Sequence, residues 1–124
     1  MKSDILNLVQ KIDGIDKDLK MKTSVEIQNG FIEEKGGYEN IYELSNKNGK
    51  EREKTYKVIF KIPFRNTPRV NLGISIIDAN TTENYLRFYS KTENISNDGF
   101  DIVVSTKHKT AIYEFKIEWV AYTQ

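Results

Sequence analysis

Between Tyr56 and Ala121 lie four runs in which apolar side chains return at every second position, the period of a strand with one buried face. Tyr56, Val58, Phe60 and Ile62 share a face in the first run, and Val70, Leu72, Ile74 and Ile76 form a second inward stripe. Phe100, Ile102 and Val104 repeat the pattern with Asp101 opposite. In the last run Tyr113, Phe115, Ile117, Trp119 and Ala121 lie on one face, and Glu114, Lys116 and Glu118 on the other. Tyr85 to Thr92 reads as a further strand. Turn signals separate these runs: Pro63 and Pro68, which cannot donate to a central ladder, the polar stretch 78–83, and Asn94 to Gly99. Alternating strands joined by Gly, Pro and Asn turns predict an all-β antiparallel sandwich. Trp119, mid-strand on the apolar face, belongs to its core.

Upstream the pattern weakens. Val25-Glu-Ile-Gln alternates, Asn29-Gly30 offers a turn or bulge, and Phe31-Ile-Glu resumes. Gly36-Gly37 marks a loop, and Tyr38 to Lys54 reads as a loop or a turn between short strands. Residues 1–20 have a different period. Ile5, Leu8, Ile12, Ile15 and Leu19 follow one another at spacings of 3, 4, 3 and 4, a heptad seam that Leu6 and Val9 widen. Ser3 can cap this helix, and Asp4 suits its first turn. Gly14 costs it about 1 kcal/mol against Ala. A seam this short is marginal alone in water. The expectation is an N-terminal oligomerisation helix over 1–20, coiled-coil-like, ahead of a sandwich over 21–124. Ile at both kinds of seam position favours three or more strands. The other reading of the segment is one amphipathic helix lying on its own domain.

Composition removes several function classes. The formal net charge is +1, with 19 basic and 18 acidic residues well mixed, so there is no nucleic-acid footprint. The absence of cysteine excludes disulfides, thiolate metal sites and a cysteine nucleophile. A single histidine among scattered carboxylates makes a poor metal set. There is no Gly-x-Ser-x-Gly and no phosphate-cradling glycine loop. Neither an enzyme, a cofactor nor a metal is expected. No stretch has membrane-spanning length, and Met1 to Leu19 lacks the unbroken apolar core of a signal peptide. The expected setting is extracellular or virion-borne without a classical signal, or otherwise cytoplasmic, with no membrane insertion.

A sparser set of residues carries more specific information. In order they are Phe60-Lys-Ile-Pro-Phe64, Pro68, Leu86-Arg87, Gly99-Phe100, Thr106-Lys-His-Lys-Thr-Ala-Ile-Tyr113 and Ile117-Glu-Trp-Val-Ala-Tyr122. This order and spacing resembles the H-type lectin domain, the sugar-binding sandwich of snail agglutinins and of the discoidin C-terminal domain. The resemblance covers roughly Ser24 to Tyr122. It implies a six-stranded antiparallel β-sandwich, trimers, and a carbohydrate site near the boundary between neighbouring protomers.

In that family sugar-contacting side chains fall at the positions of Arg87, His108 and Tyr113. The family pattern Thr-Trp-His-x-Thr is met here as Thr106-Lys-His-Lys-Thr, so Lys107 replaces an aromatic wall. The family's acceptor aspartate maps to Gly49, with Asn48 and Glu51 the nearest candidates. The resemblance therefore implies a site of Arg87, Lys107, His108, Tyr113 and Asn48. Arginine supplies fixed donors to adjacent hydroxyls, and aromatic faces meet sugar C–H patches. Tyr113 either offers its hydroxyl there or packs in the sandwich. Losing the tryptophan and gaining a cation turns the expected ligand away from N-acetylgalactosamine, toward an acidic glycan or a phosphorylated wall polymer. The expected function is a lectin module, homotrimeric, recognising surface carbohydrate, for example in host attachment by a viral tail. The alternative is a structural trimerisation or adaptor domain that binds no sugar.

Overall fold

The computed structural model describes residues 25–123, so the helix expected over 1–20 lies outside the described residues. Six strands follow one another: β1 (Glu26–Lys35), β2 (Gly49–Ile59), β3 (Arg69–Thr81), β4 (Tyr89–Glu93), β5 (Gly99–His108) and β6 (Thr110–Thr123). They form two three-stranded sheets, in the orders β1-β6-β3 and β2-β5-β4. Every pairing is antiparallel. The described residues contain no α-helix, as the period of two requires.

The best-patterned strands, β5 and β6, are central in their sheets, where one face of each must be wholly covered. Phe100, Ile102 and Val104 of β5 meet Phe115, Ile117, Trp119 and Ala121 of β6 between the layers, and all are buried. The indole of Trp119 lies 5.3 Å from the Phe100 ring and 5.9 Å from that of Phe60. Phe64 closes this end of the core edge-on to Phe60, at 4.8 Å. At the other end Phe115 packs on Tyr56 and Phe88 at 5.7 and 5.9 Å.

Gly30 explains itself through the same indole. It pairs with Trp119 in the ladder, and a Cβ at this position would lie 2.7 Å from ring carbon Cζ2. Asn29-Gly30 is thus neither turn nor bulge. It continues β1 and leaves room for the ring.

Other expectations need correction. β2 starts at Gly49, so 49–54 belongs to a strand. It ends at Ile59, and Ile62 is 67% exposed while Phe60 and Phe64 turn inward. β3 runs on through the expected polar turn to Thr81, but its stripe is broken by a bulge between Ile74 and Ile76. Val70 and Leu72 pack on the core, whereas Ile74 and Ile76 are 51% and 43% exposed. Tyr85 to Phe88 precede β4 rather than opening it.

Along the β1–β2 flank the sheets are joined by polar groups. The Glu34 carboxylate accepts from Lys54 Nζ at 2.8 Å and from the Tyr56 hydroxyl at 2.7 Å. Burial alone raises the Glu34 pKa. The two donors and the Lys54 charge outweigh it and hold the carboxyl below its ordinary 4.5. Both Tyr42 and Tyr56 are pushed up by burial, and Glu34 adds to the shift.

Two measurements test this packing. Trp119→Ala should cost about 3–5 kcal/mol in urea denaturation. A folded pKa below the unfolded one means that Glu34 contributes its full stabilisation above the unfolded carboxyl range. That contribution disappears as pH falls through the lower folded value. The wild type should therefore lose more stability than Glu34→Gln as pH is taken below the ordinary carboxyl value of 4.5.

Candidate functional site

β5 and β6 lie in different sheets, yet only Lys109 separates them. Such a short crossover needs an unusual backbone, and His108 takes it, with φ of 58° in the left-handed region. Opposite His108 in the β2–β5 ladder stands Gly49, at φ of 84°. Glycine is suited to that positive φ.

Arg52 holds the turn from the β2 side. It shares strand parity with Tyr56 and Val58, and the pairing shift between Gly49 and Arg52 brings it beneath the turn. Its Nη1 donates to Asn48 Oδ1 at 3.1 Å, to the Lys50 carbonyl at 2.8 Å and to the His108 carbonyl at 2.9 Å. Its Nη2 donates to the Thr110 carbonyl. One guanidinium thereby fixes the residues on both sides of Lys109 and the amide side chain of Asn48. Arg52 is 8% exposed, and burial depresses its pKa. Arginine stays charged through such a shift.

Two threonines hold the opposite flank. The Arg87 N–H donates to Thr110 Oγ1 at 3.2 Å, and Thr106 Oγ1 donates to the Arg87 carbonyl at 2.5 Å. Since these threonines bracket residues 107–109, the Arg87 backbone is laid against the turn. The Arg87 guanidinium lies 5.8 Å from the Tyr85 ring centroid, and its Nε is buried without a partner.

Asn48, Arg87 and His108 thus gather around one turn, with His108 exposed. Lys107 is half-buried, its ammonium 5.2 Å from the Tyr89 ring centroid. Tyr113 is set apart. The β3–β6 pairing passes from Asp78–Glu114 to Ala79–Ile112, so Tyr113 falls in a bulge and Ile112 takes the core position. Its hydroxyl donates to Glu39 Oε1 at 2.8 Å, and Glu39 pairs with Lys47 at 3.0 Å. The hydrogen bond from Tyr113, then Lys47, holds the Glu39 carboxyl below its ordinary value. Lys109 Nζ donates to the Lys47 carbonyl at 3.3 Å, which ties this rim back to the turn. Sequence reasoning missed Arg52, although its parity with Tyr56 and Val58 was a signal that a guanidinium turns inward. Among the described residues no group of three or more His, Asp or Glu could hold a metal ion.

The profile of the H-type lectin domain matches residues 55–122, more than half of the chain. The chain belongs to the H-type lectin domain family. Discoidin-2 of Dictyostelium discoideum is 34% identical over 64 residues, which are 52% of this chain and 25% of that protein. The ATP synthase subunits region ORF 7 protein of Fuscovulum blasticum is 37% identical over 70 residues, 56% of this chain and 60% of that protein. The structure of wild-type discoidin II superposes with a TM-score of 0.68 at 26% identity, over 80% of this chain and 36% of that one. The chain thus spans less than two thirds of the length of these relatives. Membership of a lectin family supports a non-enzymatic carbohydrate-binding module.

In this H-type lectin domain the two threonines have a measurable part. Thr106→Val and Thr110→Val each leave one part-buried backbone group of Arg87 without its threonine partner. Each should cost about 1 kcal/mol in urea denaturation, the net worth of one hydrogen bond at a part-buried site.

Proposed function

We propose that this domain is a lectin module that binds surface carbohydrate at the β5–β6 turn and works as a homotrimer. The observation that carries the reading is the construction of that turn. Arg52 and two threonines spend their hydrogen bonds on holding backbone, which leaves the Arg87 guanidinium and the exposed His108 imidazole available to a ligand. Arg87 donates to adjacent sugar oxygens and His108 donates or accepts one bond. Asn48 Oδ1 already accepts from Arg52 at 3.1 Å and from the Lys50 N–H at 2.9 Å, so Asn48 offers a ligand its Nδ2 donor rather than the acceptor of the family aspartate. Lys107 and Tyr113 border the pocket, on the sheet face and on the Glu39 rim.

The open flank of the sandwich supports assembly. Ile74 and Ile77 pair with the core residues Ile117 and Phe115 and share their face, yet they are 51% and 39% exposed. Tyr85 and Leu86, in the segment that follows β3, are exposed as well. Exposed apolar residues of this kind suit an interaction surface, and a neighbouring protomer is the occupant proposed for it. Three weak sites on one trimer gain effective concentration against a multivalent surface, as attachment to a host by a viral tail would require. The replacement of the family's aromatic by Lys107 and of its aspartate by Gly49 favours a second reading, a trimerisation adaptor without sugar binding.

Sedimentation should give three times the chain mass of 14.4 kDa. On a glycan array Arg87→Ala should abolish whatever binding the wild type shows while the trimer persists. Binding that survives in both Arg87→Ala and His108→Ala would remove the turn from consideration, and a trimer that binds nothing would favour the adaptor.

A further inference from the structure

The turn gathers more positive charge than its surroundings neutralise. Arg52, Arg87, Lys107 and Lys109 lie in it or bond to it, and none forms an ion pair among the described residues. Lys47 beside them is neutralised by Glu39. The carboxylate bonded to the turn is Glu83, and it accepts the Lys109 N–H at 2.9 Å. An excess of cations remains.

Arg52 is the unusual member. It is more than nine-tenths buried, it is surrounded by four neutral oxygens, and its Nε has no partner. A buried guanidinium is commonly matched by a carboxylate, because removing its charge from water is costly. Carbonyl dipoles satisfy its N–H groups without cancelling its charge. Mobile salt cannot reach it, so its field is screened far less than that of a surface lysine. The field is felt at its bonded neighbours His108 and Asn48. Arg87 Nε, also buried and unpartnered, adds to the same region.

We infer that the sugar taken at this turn carries an anionic oxygen, as a uronate, sulfate ester or phosphate ester, and that Arg52 is the positioning residue that shapes the turn and supplies the buried share of the selecting charge. The inference rests on the carbohydrate-binding reading and adds the class of ligand to it. Lys107, half-buried, supplies the more screened share in place of the family's aromatic wall.

The test uses the full chain and matched pairs of probes titrated calorimetrically at low and high salt. The pairs are oligogalacturonate with its methyl ester, and sulfated and phosphorylated galactose oligomers with their neutral parent. The acidic member of at least one pair should bind about tenfold tighter at low salt, an advantage that shrinks as salt screens it. Which pair responds tells carboxylate from sulfate and phosphate. Arg52→Gln should reduce the acidic-to-neutral ratio about threefold or more, and Arg52→Lys should restore part of it. A merely structural arginine would lower both affinities together and leave their ratio unchanged. Lys107→Gln, a substitution outside the core, should lower the ratio and the salt dependence even if Arg52→Gln fails to fold. Equal binding of acidic and neutral probes, lost in Arg87→Ala, would overturn the anionic ligand and keep the lectin. A ratio unmoved by the foldable variants would overturn the roles given to Arg52 and Lys107. Failure of every probe to bind would overturn both this inference and the carbohydrate site.

Discussion

The packing of Trp119 between the layers, edge-on to Phe100 and tilted against Phe60, is the contact on which the rest of the domain depends. Three sets of constraints meet at that ring. Gly30 must lack a side chain for the indole to lie flat beside β1. Phe100 of β5 and Phe60, just past the end of β2, must come from the other layer to cover it. Leu72 must pair with it from β3. Since β6 is central in its sheet, the position of this one side chain fixes the register of both neighbouring strands. A slip by a single residue would send Trp119 to solvent and Glu118 into the core.

Away from that ring the structure changes its means of cohesion. The end that carries Trp119 is held by aromatic packing. The end that carries the β5–β6 turn is held by hydrogen bonds that Arg52 and Thr106 donate and Thr110 accepts, all three residues being buried. Such groups are costly unless satisfied, so a turn built on them has few alternative arrangements. Direction is gained in return. A hydrophobic contact tolerates sliding, whereas a guanidinium bonded to both ends of a turn does not. The division matches the chemistry proposed for each end, one for stability and one for aiming polar side chains.

How much of this was legible in the residues varies with the physics. Strands with one fully buried face, β5 and β6, announced themselves by alternation, and Trp119 was placed correctly by the same logic. The edge strand β3 misled, because a bulge interrupts its period and an edge tolerates exposed isoleucines. Tyr113 misled for the same reason: parity counted from Phe115 fails across a bulge that no sequence signal marks. The start of β2 was hidden because Lys50, Glu51 and Glu53 face water and Arg52 replaces the apolar residue expected between them. In the candidate site, the resemblance supplied Arg87 and His108. It could not supply Arg52, whose importance lies in bonds to backbone carbonyls that any residue carries. The expected helix falls outside the described residues.

The single-residue crossover at Lys109 has a consequence for how such a domain can diversify. A loop joining two sheets normally acts as a reservoir of length, in which insertions alter recognition at little cost to the scaffold. Here no such reservoir exists. Adding a residue between His108 and Thr110 would separate the two carbonyls that Arg52 bridges. It would also slide β6 against β5 and carry Trp119 off its seat. The turn is therefore a fixed reference point, and new specificities must be written by substitution at its side chains or by changes in length of the flanking segments 36–48 and 82–88. A lineage built on this scaffold would hold its binding turn constant in length while its neighbours vary, the reverse of the pattern in folds that recognise ligands with long hypervariable loops.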